Sequence, residues 1–228
     1  MNRFLSGKAL SLHTPRYAKS YRQSDDEYRR SVGDGGKFAF VRAVREKFDH
    51  PISVVDLGCG TGRYHHIFGK DDCITGIDIS AAMMEQARNP VGGLKAKQYL
   101  LRADIQTVTL PCECYHLALC MGVFGSQMPF TVEIARRAFH CLVSKGIFAF
   151  DLFKHVDNPN DTRKSRIAKR LKPYTFGMIR DWFDAKLMRF TMNETEAAHI
   201  LERTGFATWS FEPIRGRGRD DLLVVAKK

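Results

Sequence analysis

The chain has no uninterrupted apolar run near the roughly twenty residues that cross a bilayer, and no apolar core of a secretory signal. That shortage argues against a membrane protein, and a cytoplasmic location is expected. Paired cysteine spacing is missing as well. The six cysteines stand at 59, 73, 112, 114, 120 and 141, mostly inside apolar runs where a reduced thiol behaves as a small hydrophobe, so no disulfide is expected. Cys112-Glu113-Cys114 lacks the two-residue gap of a zinc site and has no second Cys or His pair at finger spacing, so no metal is implied. There is no internal repeat and no second domain boundary. With 228 residues, 44% of them hydrophobic and 27% charged, one globular domain is expected. Acids are missing from Met1 to Ser24, where Arg3, Lys8, Arg16, Lys19 and Arg22 make a basic arm with a faint likeness to a transit peptide.

What is present centres on Val54-Val55-Asp56-Leu57-Gly58-Cys59-Gly60-Thr61-Gly62. A β-branched apolar run ends in an acid and three alternating glycines, the pattern of a buried strand entering a loop that approaches a ligand closely. A dinucleotide fingerprint, G-x-G-x-x-G, would need glycine at 63, where the chain has Arg63, so NAD is the runner-up. About twenty residues on, Ile74 to Ser80 reads as a second strand ending at Asp78, where this kind of fold places a ribose-binding carboxylate.

The pattern D-x-G-x-G-x-G resembles motif I of the class I S-adenosylmethionine-dependent methyltransferases. The resemblance implies an α/β, Rossmann-like, seven-stranded and mostly parallel sheet with helices on both faces and an antiparallel terminal strand. It covers about residues 38 to 228. It also implies S-adenosyl-L-methionine as cofactor, held by Asp56, Gly58, Cys59, Gly60, Gly62, Asp78, Ile79, Asp104, Ile105 and Cys120. Asp104, ending a third strand over Gln98–Ala103, resembles the residue that meets the adenine amino group. The fourth strand, Tyr115–Gly122, lacks the acid common in relatives; His116 and Glu113 stand nearby, and no acidic role is transferred to them. Relatives often close a segment before motif I over the cofactor, and Tyr17, Tyr21 and Arg22 are the candidates for that role.

Other elements follow from pattern. Asp25 to Arg30 runs from acids to bases ahead of Gly33, as a short lid helix would. Phe38, Phe40, Val41, Val44 and Phe48 recur near helical period before Pro51, so this helix should cover the sheet. Thr61 is a candidate cap for a helix to Phe68; adjacent His65 and His66 diverge on a helix and are read as surface or packing residues. Ser80 caps a helix that stops at Asn89-Pro90. Val132–Leu142 forms another, Ile147–Phe153 makes a fifth strand, and Phe124–Phe130 borders the acceptor. Asn193 caps a helix ended by Gly205, and two strands follow at Phe206–Phe211 and Leu222–Ala226.

The formal charge of +11 is concentrated in the flanks: residues 151–228 carry 16 basic and 11 acidic side chains, against 9 and 8 in residues 51–150. We divide the chain into an arm and lid at 1–36 and a methyltransferase domain at 37–228 with a substrate-side insertion at 155–191. In that insertion Arg163, Lys164, Arg166, Lys169, Arg170 and Lys172 lead into Tyr174, Phe176, Trp182 and Phe183. A basic run followed by aromatics suits a polar or acidic small acceptor methylated on O or N; a solvated surface explains the same excess about as well. Methyl transfer depends chiefly on positioning, so the lack of a triad is no objection, and no catalytic residue or base is assigned. An RNA methyltransferase or RNA-binding protein is the lesser alternative. The chain lacks the Asn-Pro-Pro-Tyr or Asp-Pro-Pro-Tyr type of tetrapeptide common in amino-group nucleic-acid methyltransferases. An inactive cofactor-binding protein is the third reading.

Overall fold

A computed structural model describes residues 14–33, 35–125, 127–153, 191–216 and 219–228. Its strands are β1 Ser53–Leu57, β2 Cys73–Asp78, β3 Lys97–Arg102, β4 Tyr115–Cys120, β5 Leu142–Phe153, β6 Thr208–Gly216 and β7 Arg219–Lys227. They form one sheet in the order β3-β2-β1-β4-β5-β7-β6. The first five pair with one another in parallel; β7 runs antiparallel to both β5 and β6. The order steps outward from β1 in both directions, so the mouth between β1 and β4 lies at a topological switch point, where open α/β sheets bind their ligands.

Both faces of the sheet are buried, which is why the central strands read as continuous apolar runs. Alternation splits the core in two. Val55, Leu57, Phe148, Phe150 and Val224 pack on one face with Ile134, Ala138 and Leu201, which belong to α4 (Val132–Cys141) and α5 (Glu194–Thr204). Val54, Ile74, Leu117, Ala149 and Leu223 face the other side, where Phe38, Val41 and Val44 of α2 (Lys37–Arg45) close over them. Asn193 caps α5 with a full capping box, its side chain accepting from Glu196 N–H while Glu196 reaches back, and Gly205 ends the helix in the left-handed region.

Three sequence expectations are corrected. The lid helix is much longer than Asp25–Arg30: α1 spans Pro15–Val32, started by Thr14, whose hydroxyl accepts from Tyr17 N–H. Pro at the first helical position needs no amide partner, which favours that start. Thr61 to Phe68 is not an α-helix; only His65–Ile67 forms a single 3-10 turn. Gly58, Gly60 and Gly62 all take positive φ, and the Thr61 hydroxyl donates to Asp25 on α1 instead of capping a helix. The next helix, α3 Ala81–Ala87, is capped by Ser80 as expected. Finally, Phe124 and Phe130 are core residues packed on Phe150, with ring centroids 5.7 and 4.6 Å away, while Gln127 and Met128 between them reach the cleft.

Candidate active site

A cavity of about 240 Å³ opens at the carboxyl ends of β1, β2, β3 and β4. Its floor is the glycine loop. Gly58 and Cys59 N–H both donate to Ile77 O at 2.8 and 2.9 Å, which folds the loop back over the end of β2. Gly60 N–H then donates to Asp78 Oδ2 at 2.9 Å, and Ser80 N–H to Asp78 Oδ1 at 2.8 Å. Asp78 is thereby held in one orientation. Asp104 is fixed in the same manner by Gln106 N–H at 2.8 Å.

The glycines differ in what they serve. A Cβ at Gly58 would meet Val123 Cγ2 at 2.5 Å, and one at Gly62 would meet His65 Nδ1 at 2.8 Å; both are required by packing. A Cβ at Gly60 or Gly122 would meet nothing within 4 Å, because both lie on the cavity wall. Here bare backbone faces the space a ligand would fill.

The opposite wall comes from the turn after β4. Met121, Gly122 and Val123 line the cavity, and Gly122 N–H donates to Asp151 Oδ1 at 2.6 Å. Asp151 also accepts from the Lys37 ammonium, which reaches Asp221 Oδ2 at 2.7 Å. Burial alone would lower the Lys37 pKa, but the two carboxylates outweigh it and hold the pKa above its ordinary value. The turn beyond β4 is therefore tied to α2 and β7 through one buried cation.

Helix α1 forms the roof. Tyr17 and Tyr21 line the cavity, their ring centroids 6.0 Å apart. Four residues on from Tyr21, buried Asp25 accepts from the Thr61 hydroxyl and from the Arg63 guanidinium. Arg63 is itself sandwiched 5.1 and 5.4 Å from the Tyr21 and Tyr28 rings. Arg22 points elsewhere: it donates to the carbonyls of Gln86 and Asn89 at the end of α3, fastening the roof from outside the cavity.

Cavity electrostatics are acidic. Asp56, Asp78 and Asp104 all face it, while the lining cation Arg63 is committed to Asp25. Burial, then Asp56 and Asp78, pushes the Cys59 thiol well up, so it stays protonated and is no nucleophile. Burial likewise raises the Tyr64 hydroxyl. A site of this sign suits a cationic ligand.

Of the sequence-predicted residues, Tyr17, Tyr21, Asp56, Gly58, Cys59, Gly60, Asp78, Ile79, Asp104 and Ile105 meet around the one cavity. Gly62, Cys120 and Arg22 lie behind it. Cys120 is fully buried at the end of β4. His65, read as a surface or packing residue, is fully buried, with Nε2 2.9 Å from Asp56 Oδ2 and Nδ1 2.9 Å from the Gln98 amide nitrogen. Sequence reasoning gave Asp25, Thr61 and Arg63 no place in the site, because the contact between Asp25 and the other two spans 36 and 38 residues; Gln127 lies within the stretch expected to border the acceptor. His116 is at the opposite end of the sheet, accepting from Ser53 N–H at 3.1 Å. Among the described residues no group of three or more His, Cys, Asp or Glu side chains could hold a metal, and no helix is long and apolar enough to cross a membrane.

This sheet order, with a glycine loop leaving β1, Asp78 ending β2 and Asp104 just beyond β3, is the Rossmann-like methyltransferase fold. Residues 54–146 match the family model described as a methyltransferase domain. No curated protein matches it in sequence. Solved structures share the fold. An S-adenosylmethionine-dependent methyltransferase of Thermotoga maritima is 15% identical with a TM-score of 0.58, over 94% of this chain and 97% of that one. Magnesium protoporphyrin IX methyltransferase of Synechocystis PCC 6803, solved with bound S-adenosylhomocysteine, is 17% identical with a TM-score of 0.56, over 92% and 99%. A protein of Bordetella parapertussis is 19% identical with a TM-score of 0.57 over 83% of this chain. The chain spans 66% of that protein's length.

Proposed function

We propose that the cavity binds S-adenosyl-L-methionine against Asp56, the Gly58–Gly60 loop, Asp78, Ile79, Asp104 and Ile105, beneath Tyr17 and Tyr21. In this reading its methyl group passes to an O or N atom of a small or medium-sized polar acceptor. The observation that carries this is the convergence of three strand-end acids and two bare-backbone glycines on one acidic cavity. S-adenosyl-L-methionine carries a sulfonium and an ammonium, and it supplies an electrophilic methyl group when bound. The preset Asp78 carboxylate suits two ribose hydroxyls, and Asp104 suits an exocyclic amine.

The protein's part in transfer is positioning. Methyl–sulfur displacement needs the acceptor in line and water kept away, and the Tyr17–Tyr21 roof serves both needs. Support for an acceptor site beside this roof comes from chain connectivity. Phe153 at the end of β5 bridges Thr191, and Met192 N–H donates to Phe153 O at 3.1 Å. The 155–191 insertion, which lies outside the described residues apart from its last, thus leaves and rejoins the sheet at its ligand-binding end. Its basic run, in this proposal, attracts a polar or acidic acceptor, and 1–36 acts as arm and lid. The test is methyl transfer from labelled cofactor to separated metabolite, protein and RNA pools. Labelling of a polar metabolite supports the reading, and labelling confined to RNA overturns the acceptor class. Replacing Arg166, Lys169 and Arg170 together by alanine should raise the acceptor KM and leave cofactor affinity nearly unchanged.

A further inference from the structure

We propose that His65 is a positioning residue that orients the Asp56 carboxylate toward the amino-acid half of the cofactor. The inference rests on the cofactor reading above and adds to it a buried relay from α3 through β3 to the floor of the cavity. Its first link is the Gln98 side-chain amide, whose nitrogen donates to Ala87 O at 2.9 Å and lies 2.9 Å from His65 Nδ1. A backbone carbonyl can only accept, so the nitrogen of the Gln98 amide, not its oxygen, must stand at this position. Its second proton then points at Nδ1, which has to be the bare, accepting nitrogen. The imidazole proton is therefore on Nε2, 2.9 Å from Asp56 Oδ2, and is donated to the carboxylate.

The consequence is an acid whose orientation is set from behind. Asp56 is nearly fully buried, and it also faces the cavity, so one of its oxygens is occupied by His65 and the rest of its accepting capacity turns to the ligand. Strand order says which part of the ligand that is. Asp78 ends β2 and Asp104 follows β3, on the side read as the adenosine end, whereas Asp56 lies between the glycine loop and the β4 turn at Gly122. The group left to meet there is the α-ammonium of the methionine portion. The glycine loop explains how His65 can point inward: Gly62 takes φ +73 and its missing Cβ leaves room for the imidazole, while the 3-10 turn brings the ring under β1.

The test compares two ligands. S-adenosylhomocysteine carries the amino-acid portion, and 5′-methylthioadenosine lacks it. In calorimetric titrations of the full chain, His65→Phe should weaken S-adenosylhomocysteine about ten- to a hundredfold, the value of a charged hydrogen bond, and leave 5′-methylthioadenosine unchanged. His65→Gln, whose amide can still donate to Asp56, should recover most of that loss. Gln98→Met removes the tautomer-setting donor from the half-buried strand β3 without touching the cavity. It should show a smaller loss for S-adenosylhomocysteine alone, and it decides the matter if His65→Phe does not fold. Equal weakening of both ligands, or no weakening of S-adenosylhomocysteine, overturns the relay. Failure of the wild-type chain to bind S-adenosylhomocysteine at all overturns the cofactor reading itself, and the relay with it.

Discussion

Helices α1 and α2 are neighbours in sequence and are held to the domain by opposite means. The nine residues of α2 bury Phe38, Phe40, Val41 and Val44 in the core, and the helix is fastened at each end by an ion pair. Lys37 pairs with Asp151 and Asp221 at the start, and Arg45 with Asp72 at 2.9 Å at the finish. The eighteen residues of α1 bury only Ala18 and Asp25. Its buried attachment is polar, Asp25 with Thr61 and Arg63, supported by Arg22 at the end of α3 and by partly buried Tyr28 and Val32 packed on the core. Apolar burial cannot be exchanged for water without loss, whereas hydrogen bonds and surface ion pairs largely can. The difference makes α2 part of the fold and lets α1 detach at lower cost than α2, which fits the roof role proposed for it.

That contrast can be broken from either side. Phe38→Ala, at a nearly fully buried site, should cost about 3–5 kcal/mol of global stability, read as a lower denaturant midpoint. Asp25→Ala should cost much less globally. It removes the charged partner of Thr61 and Arg63, so opening of α1 alone should become easier by about 1.5–3 kcal/mol, seen as faster amide hydrogen exchange across 15–32 with the sheet unaffected. Equal protection loss in the sheet would contradict a separable roof.

Acid provides a third, smaller discrimination. Asp72 is buried, which by itself would raise its pKa, but Arg45 and the N–H groups of Ile52 and Gly69 hold it below the ordinary carboxylate value of 3.8. Its stabilising contribution is present above that value and lost as pH falls through the lower folded value. Acid titration of Asp72→Asn should therefore lack part of the wild-type stability loss below about pH 3.8. Least of all should change with salt. Raising ionic strength screens the partly exposed Arg63 pair more than the Lys37 pair, so exchange in α1 should quicken slightly while that in α2 stays constant.

Much of the fold was legible because the signals were local. The Val54–Gly62 pattern, the acids Asp78 and Asp104, and the caps Ser80 and Asn193 all sit at positions the structure uses for strand ends and helix starts. Failures came where a side chain answered to a partner far away in sequence. Thr61 has the chemistry of a helix cap, yet Asp25, 36 residues earlier, takes its hydroxyl. His65 and His66 look alike in the chain; one reaches back nine residues to Asp56, and the other packs edge-on against Phe38 at 5.3 Å. Arg22 and Tyr21 are adjacent, so the helix turns one toward α3 and the other over the cavity. Periodicity could place residues on α1 only once its start at Pro15 was known, and the acid-to-base gradient had suggested a start ten residues later.

The central claim is that the acids ending the first three strands and the glycine loop form a cofactor site. It is tested most directly by titrating S-adenosylhomocysteine into the wild-type chain and into Asp78→Ala. The account predicts binding by the wild type and a loss of about 1.5–3 kcal/mol in the variant, the contribution of a charged hydrogen bond to ribose. Unchanged affinity in a folded Asp78→Ala protein would contradict it.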